Sequence, residues 1–279
     1  MAYEKFKANI VAMKVQEERD RVNVYAQDCN REYEGIVKGL GDTVTIKGAG
    51  SVTVRTGNDG KQVKFADPEL IEGTSTILTI RQWSDFNFGV PDIDQAMGAT
   101  GAIDIYTKQA GRKLANEQDR FIANLALDKL ALKDKSTAEL VTKDTVLGKV
   151  DKGLQLLWEN GVPQNEQVTI YVSPRFYMLM KQNYTALDTA NSELMAKGVI
   201  AKYFNINIKL TNTVATGNNG AEDLLMMKTG QAVAFVNPLT KVEPYRPDSF
   251  MYDAVKGVDF YDGKILRPKE MVILNCKYA

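Results

Sequence analysis

Three aspartates, Asp85, Asp92 and Asp94, crowd around Pro91 as a carboxylate pair or a divalent-cation site would require. Helix geometry accounts for two of them better. Asp92 and Asp94 stand at a proline turn leading into a helix, where a carboxylate caps backbone N–H groups and faces the positive end of the dipole. Glycine clusters raise phosphate binding in the same way. Gly39-Leu40-Gly41 lacks a third glycine and precedes a strand. The tract Gly57-Asn58-Asp59-Gly60-Lys61 is too short for a nucleotide loop, and Gly257 to Gly263-Lys264 is one residue too long and continues into Ile265 instead of Ser or Thr. Turn chemistry explains all three. Tyr245-Arg246-Pro247, Phe250-Met251-Tyr252 and Phe260-Tyr261 mix basic and aromatic side chains, a combination that stacks on single-stranded nucleic acid. Asp248, Asp253, Asp259 and Asp262 interleave with them and would repel phosphate, so packing into a sheet is the preferred reading.

The chain of 279 residues contains no histidine. That excludes Ser-His-Asp and Cys-His nucleophile systems, His-containing zinc sites and facial-triad iron sites together. Carboxylate, lysine or tyrosine chemistry survives this exclusion. Cys29 and Cys276 stand near opposite ends, neither a disulfide framework nor a metal-binding spacing, and are expected as packed or free thiols. No catalytic residue, cofactor or metal ligand is therefore expected. Lys plus Arg and Asp plus Glu number 35 each, so no overall field draws the protein to nucleic acid or anionic lipid. The opening MAYEKFKANIVAMKVQEERDRV carries charges where a signal peptide needs an apolar run, and no later run approaches a membrane span. A cytosol-like compartment follows as the expectation, with the Asn183-Tyr184-Thr185 sequon unglycosylated.

With a hydrophobic fraction of 44% and a charged fraction of 25%, the composition is that of a folded globular protein with an ample core. From Tyr3 to about Gln27, Phe6, Ile10, Met13 and Val24 recur near helical spacing among charges, giving an amphipathic helix that packs on its own domain or crosses to a neighbour. Thr43 to Lys47 and Ser51 to Arg55 alternate apolar and polar residues around Gly48-Ala49-Gly50, a hairpin signal, and a further apolar run spans Thr76 to Ile80. One thin row of Val44, Ile46, Val52 and Val54 is marginal alone in water. It needs a surface, either its own domain or another copy of the chain.

A long helix is predicted from an Asp94 cap to about Leu132, with Ile103, Tyr106, Ala110, Leu114, Phe121 and Leu125 as its apolar stripe and Gly98, Gly101 and Gly111 as places where it bends or breaks. Another spans Thr145 to Asn160, facing Val146, Val150, Leu154 and Leu157 or Trp158 inward, with Gly161 at its end. Gln167 to Val172 reads as a strand, and Ser173-Pro174 as the cap and first position of a helix running to Gln182. Strands follow at Ile206 to Leu210, Asp223 to Met227, Ala232 to Val236, Val242 to Tyr245 and Lys264 to Lys277. The class is α+β.

The order of these pieces resembles the Hong Kong 97 bacteriophage capsid fold across nearly the whole chain. Asn30-Arg31-Glu32-Tyr33-Glu34-Gly35 before Gly41-Asp42-Thr43-Val44 resembles that family's lead-in to its extended loop, and Ile80 to Asp94 (IRQWSDFNFGVPDID) the strand and turn before its spine helix. Ala115 to Phe121 resembles the later part of the spine helix. Val172-Ser173-Pro174 with Tyr177 and Leu179 resembles a strand and helix of the axial domain, and Phe250 to Val255 with Val258 to Lys264 before Arg267-Pro268-Lys269 resembles the last peripheral-domain strands.

The resemblance implies an N-terminal arm (1–34), an extended β-hairpin loop (35–82), a peripheral domain with the spine helix (83–152), an axial domain (153–239) and a return to the peripheral domain (240–279). It further implies a major capsid subunit, not an enzyme, that forms hexamers and pentamers of an icosahedral shell around phage double-stranded DNA, assembled in the host bacterial cytoplasm. Other copies of the chain, a scaffolding protein and a portal are the implied partners, with weak non-specific contact to DNA and none to membrane. Val44, Ile46, Val52, Val54, Phe6 and Ile10 are the expected inter-subunit contacts. Some relatives crosslink loop lysines; Lys47, Lys61 and Lys64 lie in this loop and read as soluble edge residues. An encapsulin-like cellular nanocompartment and, more distantly, a carboxylate- or lysine-based α+β enzyme are the alternatives.

Overall fold

The computed structural model describes residues 2–37, 39–48, 74–91, 102–186, 202–203, 206–248 and 252–278. Val52, Val54, Lys61, Lys64, Asp92 and Asp94 lie outside the described residues, as do the side chains of Phe6, Ile10, Lys47 and Ile103.

Gln82–Pro91 (β3), Val233–Tyr245 (β11) and Tyr252–Ile265 (β12) form an antiparallel three-stranded sheet in the order β11-β12-β3. Along β12, Val255, Gly257, Asp259, Tyr261, Gly263 and Ile265 are buried, the period of two expected of a strand with one covered face. Two helices supply the cover, Ala2–Val22 (α1) and Ala102–Asn124 (α2). Val15 of α1 packs with Leu114, Val242 and Val255, and Val11 and Ala12 lean on the same cluster. Met13, read above as part of the inward row, is instead exposed, because the face that meets α2 runs through Val11 and Val15. Gly111 neither bends nor breaks α2. It lets the two helices touch: a Cβ there would stand 2.8 Å from the Val15 carbonyl oxygen.

The long helix stops at Asn124, short of the predicted Leu132. A 3₁₀ turn, Leu125–Leu127, follows it, and Asp128 then accepts the Leu130 N–H in its own side-chain turn at 3.0 Å. Tyr106, placed in the inward stripe above, is exposed at its edge and rests against Phe88, whereas Ala110 and Leu114 are buried as expected.

The larger sheet has eight strands. Its main path runs Leu132–Lys133 (β4), Met271–Lys277 (β13), Glu222–Thr229 (β10), Val168–Val172 (β6), Ile206–Leu210 (β8) and Lys202–Tyr203 (β7), with Glu139–Leu140 (β5) on β13 and Ala215–Gly217 (β9) on β10. The unbroken apolar runs of β6, β10 and β13 explain their central places, since such strands are buried on both faces. Helix Val146–Glu159 (α3) covers this sheet through Val146, Val150, Leu154 and Leu157, with Trp158 pointing out. Gly161, at φ +90, ends it as predicted. Pro174–Ala186 (α4) begins at the expected cap, where Ser173 Oγ accepts the Phe176 N–H. Two sequence readings change here. Ala232–Val236 and Val242–Tyr245 are one strand, β11, bulged between Val236 and Leu239. The final stretch breaks at Pro268–Glu270, and β13 leaves the three-stranded sheet to pair with β10.

Thr43–Gly48 (β1) pairs antiparallel with Thr74–Thr79 (β2), from Thr43↔Thr79 to Gly48↔Thr74. The described partner of β1 is thus the third apolar run of this region; the expected partner Ser51 to Arg55 lies outside the described residues. Six paired positions join two segments far apart in sequence, and β1 and β2 are called the stem below.

Candidate assembly surfaces and their framework

The stem shows which of its faces is free. Val44 and Ile46 point inward with Leu78 and Ile80, buried against Val37, Ala234 and Val236, and Tyr33, Phe260 and Leu266 complete the packing. The row of Val44 and Ile46 is covered by the chain's own three-stranded sheet. Alternation puts the other row outward. Ile77 on β2 is 56% exposed, and Trp83, at the start of β3, is 58% exposed. Ile36 and Leu40, which lead into the stem, are also open to solvent. Single exposed apolar residues are ordinary. Four of them in and beside the stem mark a surface fit for burial by another molecule.

A second such region lies at the far end of the large sheet. Leu140 and Met178 are exposed there, and Val141, Pro174, Met178, Leu179 and Tyr278 line a depression of about 590 Å³. A larger cleft, about 1170 Å³, separates the stem from the large sheet between Tyr33, Ile46 and Thr76 on one wall and Gly161, Val162 and Arg267 on the other. Its lining mixes apolar and charged side chains, Glu32, Lys269 and Glu270 among them.

What fixes the N-terminal helix against the rest is a buried polar framework that sequence reasoning did not find. Asp259, fully buried on β12, accepts hydrogen bonds from Arg19 Nη1 at 3.2 Å, Gln118 Nε2 at 2.5 Å and Asn237 Nδ2 at 3.1 Å. Asn23 donates in turn to Gln118 Oε1 at 2.9 Å. At the next residue of α2, the Asp119 carboxylate accepts the backbone N–H groups of Val24, Tyr25 and Ala26 at 2.7, 3.0 and 3.3 Å. Burial pushes its pKa up to about 6, against the lowering effect of those three donors and of Lys209. The period-2 placement of Asp259 on the covered face of β12 was the available signal, since a buried aspartate demands partners.

Below this junction Tyr25 stacks on Tyr171 with ring centroids 3.9 Å apart. Tyr171 donates to Asp28 Oδ2 at 2.8 Å, and the buried Lys228 donates to the Asp28 carbonyl at 2.5 Å while lying over the Tyr171 ring. Burial holds both tyrosine hydroxyls above their usual range. Cys29 and Cys276 are free, buried thiols, both raised by burial and the latter to about 12, as the sequence led one to expect of packed cysteines. The aromatic and basic stretch near the end of the chain divides between sheet positions and exposed edges: Tyr261 is buried against Phe121 and Phe235, and Tyr245 pairs with Asn87. Among the described residues no group of three His, Cys, Asp or Glu is arranged for a metal ion, and no helix is long and apolar enough to cross a membrane.

No family model matches the chain, and neither does any curated protein sequence. Solved structures do. A chain from Mycobacterium phage Che8 superposes with a TM-score of 0.73 at 25% identity, covering 90% of each chain. The capsid structure of the cyanophage P-SCSP1u gives a TM-score of 0.65 at 16% identity, over 87% of this chain and 85% of that one. A virus-like particle from Pyrococcus furiosus gives 0.62 at 11% identity, over 96% and 99%.

Proposed function

We infer that this chain, which has the Hong Kong 97 capsid fold, is the major capsid subunit of a tailed bacteriophage, a structural protein whose activity is assembly with copies of itself. The observation that carries this reading is the agreement with a phage structure over nine-tenths of both chains, at 25% identity and a TM-score of 0.73. A cellular shell of the same fold is the second reading, favoured by the nearly complete overlap with the virus-like particle, but its identity and TM-score are lower. The exposed apolar residues fit either: Ile77, Trp83, Ile36 and Leu40 wait at the base of the loop for a neighbouring subunit to cover them.

In this reading residues 1–34 form the N-terminal arm and 35–82 the extended loop. The large sheet with α3 and α4 is the axial domain, and the three-stranded sheet with α2 is the peripheral domain. Val44 and Ile46 anchor the loop to its own subunit, while Val52, Val54, Phe6 and Ile10 remain the proposed contacts to neighbours. The subunits form hexamers and pentamers around double-stranded DNA, assembled in the bacterial cytoplasm with a scaffolding protein and a portal. Equal numbers of acidic and basic residues suit a wall past which packaged DNA slides. No part of this role calls for enzymatic activity.

Electron microscopy of the expressed protein, alone and with the product of any adjacent scaffold gene, tests the reading. Closed particles or regular sheets are expected, and stable monomers under every condition would overturn it. Neighbouring genes for a portal and terminase, as opposed to a cargo enzyme, separate the phage shell from the cellular one.

A further inference from the structure

Lys149 and Asp134 meet inside the protein in a manner unlike its surface ion pairs. Lys149 Nζ lies 2.5 Å from Asp134 Oδ2, with side chains 3% and 0% exposed. Despite that approach, Oδ2 has no hydrogen bond of ordinary direction. The other oxygen is held: Asp134 Oδ1 accepts the backbone N–H of Asn275 at 3.0 Å, and the Asp134 N–H donates to the Ile273 carbonyl at 3.0 Å, fixing the carboxyl group on the edge of β13. A third group completes the arrangement. Lys149 Nζ donates to Glu139 Oε2 at 2.9 Å, while Lys135 holds Oε1 at 2.7 Å.

These positions correspond to the parts needed for acyl transfer: an amine beside a carboxyl carbon, a backbone N–H on the oxygen that becomes negative, and a carboxylate to carry protons. We propose that Lys149 and Asp134 join in an intrachain amide bond, formed by the folded protein itself with Glu139 as the proton carrier. Within the pair the Lys149 ammonium passes one proton to Asp134 Oδ2, and the freed nitrogen attacks Cγ of the resulting carboxylic acid. The charge of the tetrahedral intermediate rests on Oδ1, against the Asn275 N–H. Glu139 takes a second proton from the nitrogen, now cationic, and hands it to the Oδ2 hydroxyl, which leaves as water as the C–O bond breaks; the amide nitrogen keeps the third proton. An ammonium and a carboxylate become a neutral amide and water, with no change of oxidation state.

Two features fit the proton carrier to this role. Lys135 and Lys149 hold the Glu139 carboxyl down to about 2, against burial, so it is ionised but a weak base, able to take a proton only from the nitrogen made acidic by its attack on Cγ and quick to give it up again. Its side chain is 41% exposed, which gives the departing water a way out. Burial disfavours the Lys149 ammonium, but Asp134 and Glu139 more than compensate and hold its pKa above the usual lysine value. Proton removal is therefore the slow step, and the bond accumulates after folding. The product joins α3 to the segment between β4 and β5, across the face where both rest on β13.

Intact-mass spectrometry of the full chain under denaturing conditions tests this, on freshly purified protein and on protein kept folded at neutral pH. The expected result is a mass below that of the sequence by about 18 Da, one water, in a fraction that grows with time. Digestion then yields a branched peptide joining positions 149 and 134. Lys149→Arg keeps the cation without the attacking amine and is expected at full mass; Glu139→Gln is expected to slow the loss at least tenfold. Full mass for the wild-type chain in both samples would overturn the proposal and leave a buried ion pair. So would a deficit that Lys149→Arg retains.

Discussion

Arg19 on the first helix reaches Asp259 on the penultimate strand at 3.2 Å, and neither side chain is more than 7% exposed. Removing one partner of such a pair strands the other in a place water cannot reach. Asp259→Ala is expected to destabilise the subunit by about 3–5 kcal/mol, read as a shift of the urea unfolding midpoint. Joint replacement by Arg19→Met and Asp259→Leu should recover only part of this, because Gln118 and Asn237 also lose their acceptor.

Asp119 gives a pH dependence with a definite sign. Its folded pKa, about 6, lies above the ordinary carboxylate value of 3.8, so between these values the folded state binds more protons than the unfolded one. Its contribution to stability is therefore greatest below about pH 4, declines as pH rises through 6, and is flat beyond; the full span is on the order of 3 kcal/mol. Thermal melts of wild type and Asp119→Asn at pH 4.5 and 7 check this: the advantage of wild type should shrink at the higher pH.

Gly111 sets how closely α1 can lie on α2. Gly111→Ala improves helix propensity by about 1 kcal/mol in isolation but puts a methyl 2.8 Å from the Val15 carbonyl. Backbone cannot step aside as a side-chain tip can, so a net loss of about 1–3 kcal/mol is expected. Limited proteolysis should cut α1 free sooner than in wild type.

The exposed stem residues should separate assembly from folding. Ile77→Asp and Trp83→Asp are expected to change subunit stability by no more than about 0.5 kcal/mol while abolishing or slowing particle formation. Sedimentation velocity beside a melting curve reads both. Particles formed at the wild-type rate would exclude this surface from the subunit contact.

Both cysteines should be silent in the native subunit. Burial raises Cys29 and Cys276, leaving almost no thiolate at neutral pH and no access for a disulfide reagent. Titration should find no reactive thiol in the native protein and two after denaturation.

The elements that sequence reading recovered best were those with a clean local signal. The α3 stripe with its Gly161 stop and the Ser173-Pro174 start of α4 depend on neighbours three or four positions away, and both came through. The polar framework did not, because Arg19, Gln118, Asn237 and Asp259 are far apart in sequence and each looks like a surface residue. Met13 and Tyr106 misled for the related reason that helical periodicity defines a face without saying which of two adjacent rows meets the partner. At the stem, alternation identified the apolar row of Val44 and Ile46 correctly, but what covers a row is a tertiary fact. The structure answers it with Ala234 and Val236 from the opposite half of the chain.

That the first helix is held by the last strands has a consequence for how the protein is made. β3 pairs along its whole length with β12, and α1, which rests on α2, also leans on Val242 and Val255, so β3 has no strand partner, and α1 only part of its support, until residues beyond 250 have left the ribosome. A nascent or truncated chain cannot close the peripheral sheet. Synthesis thus sets an order: α1 can settle on α2 early, but the sheet that both helices cover closes only once β12 has emerged.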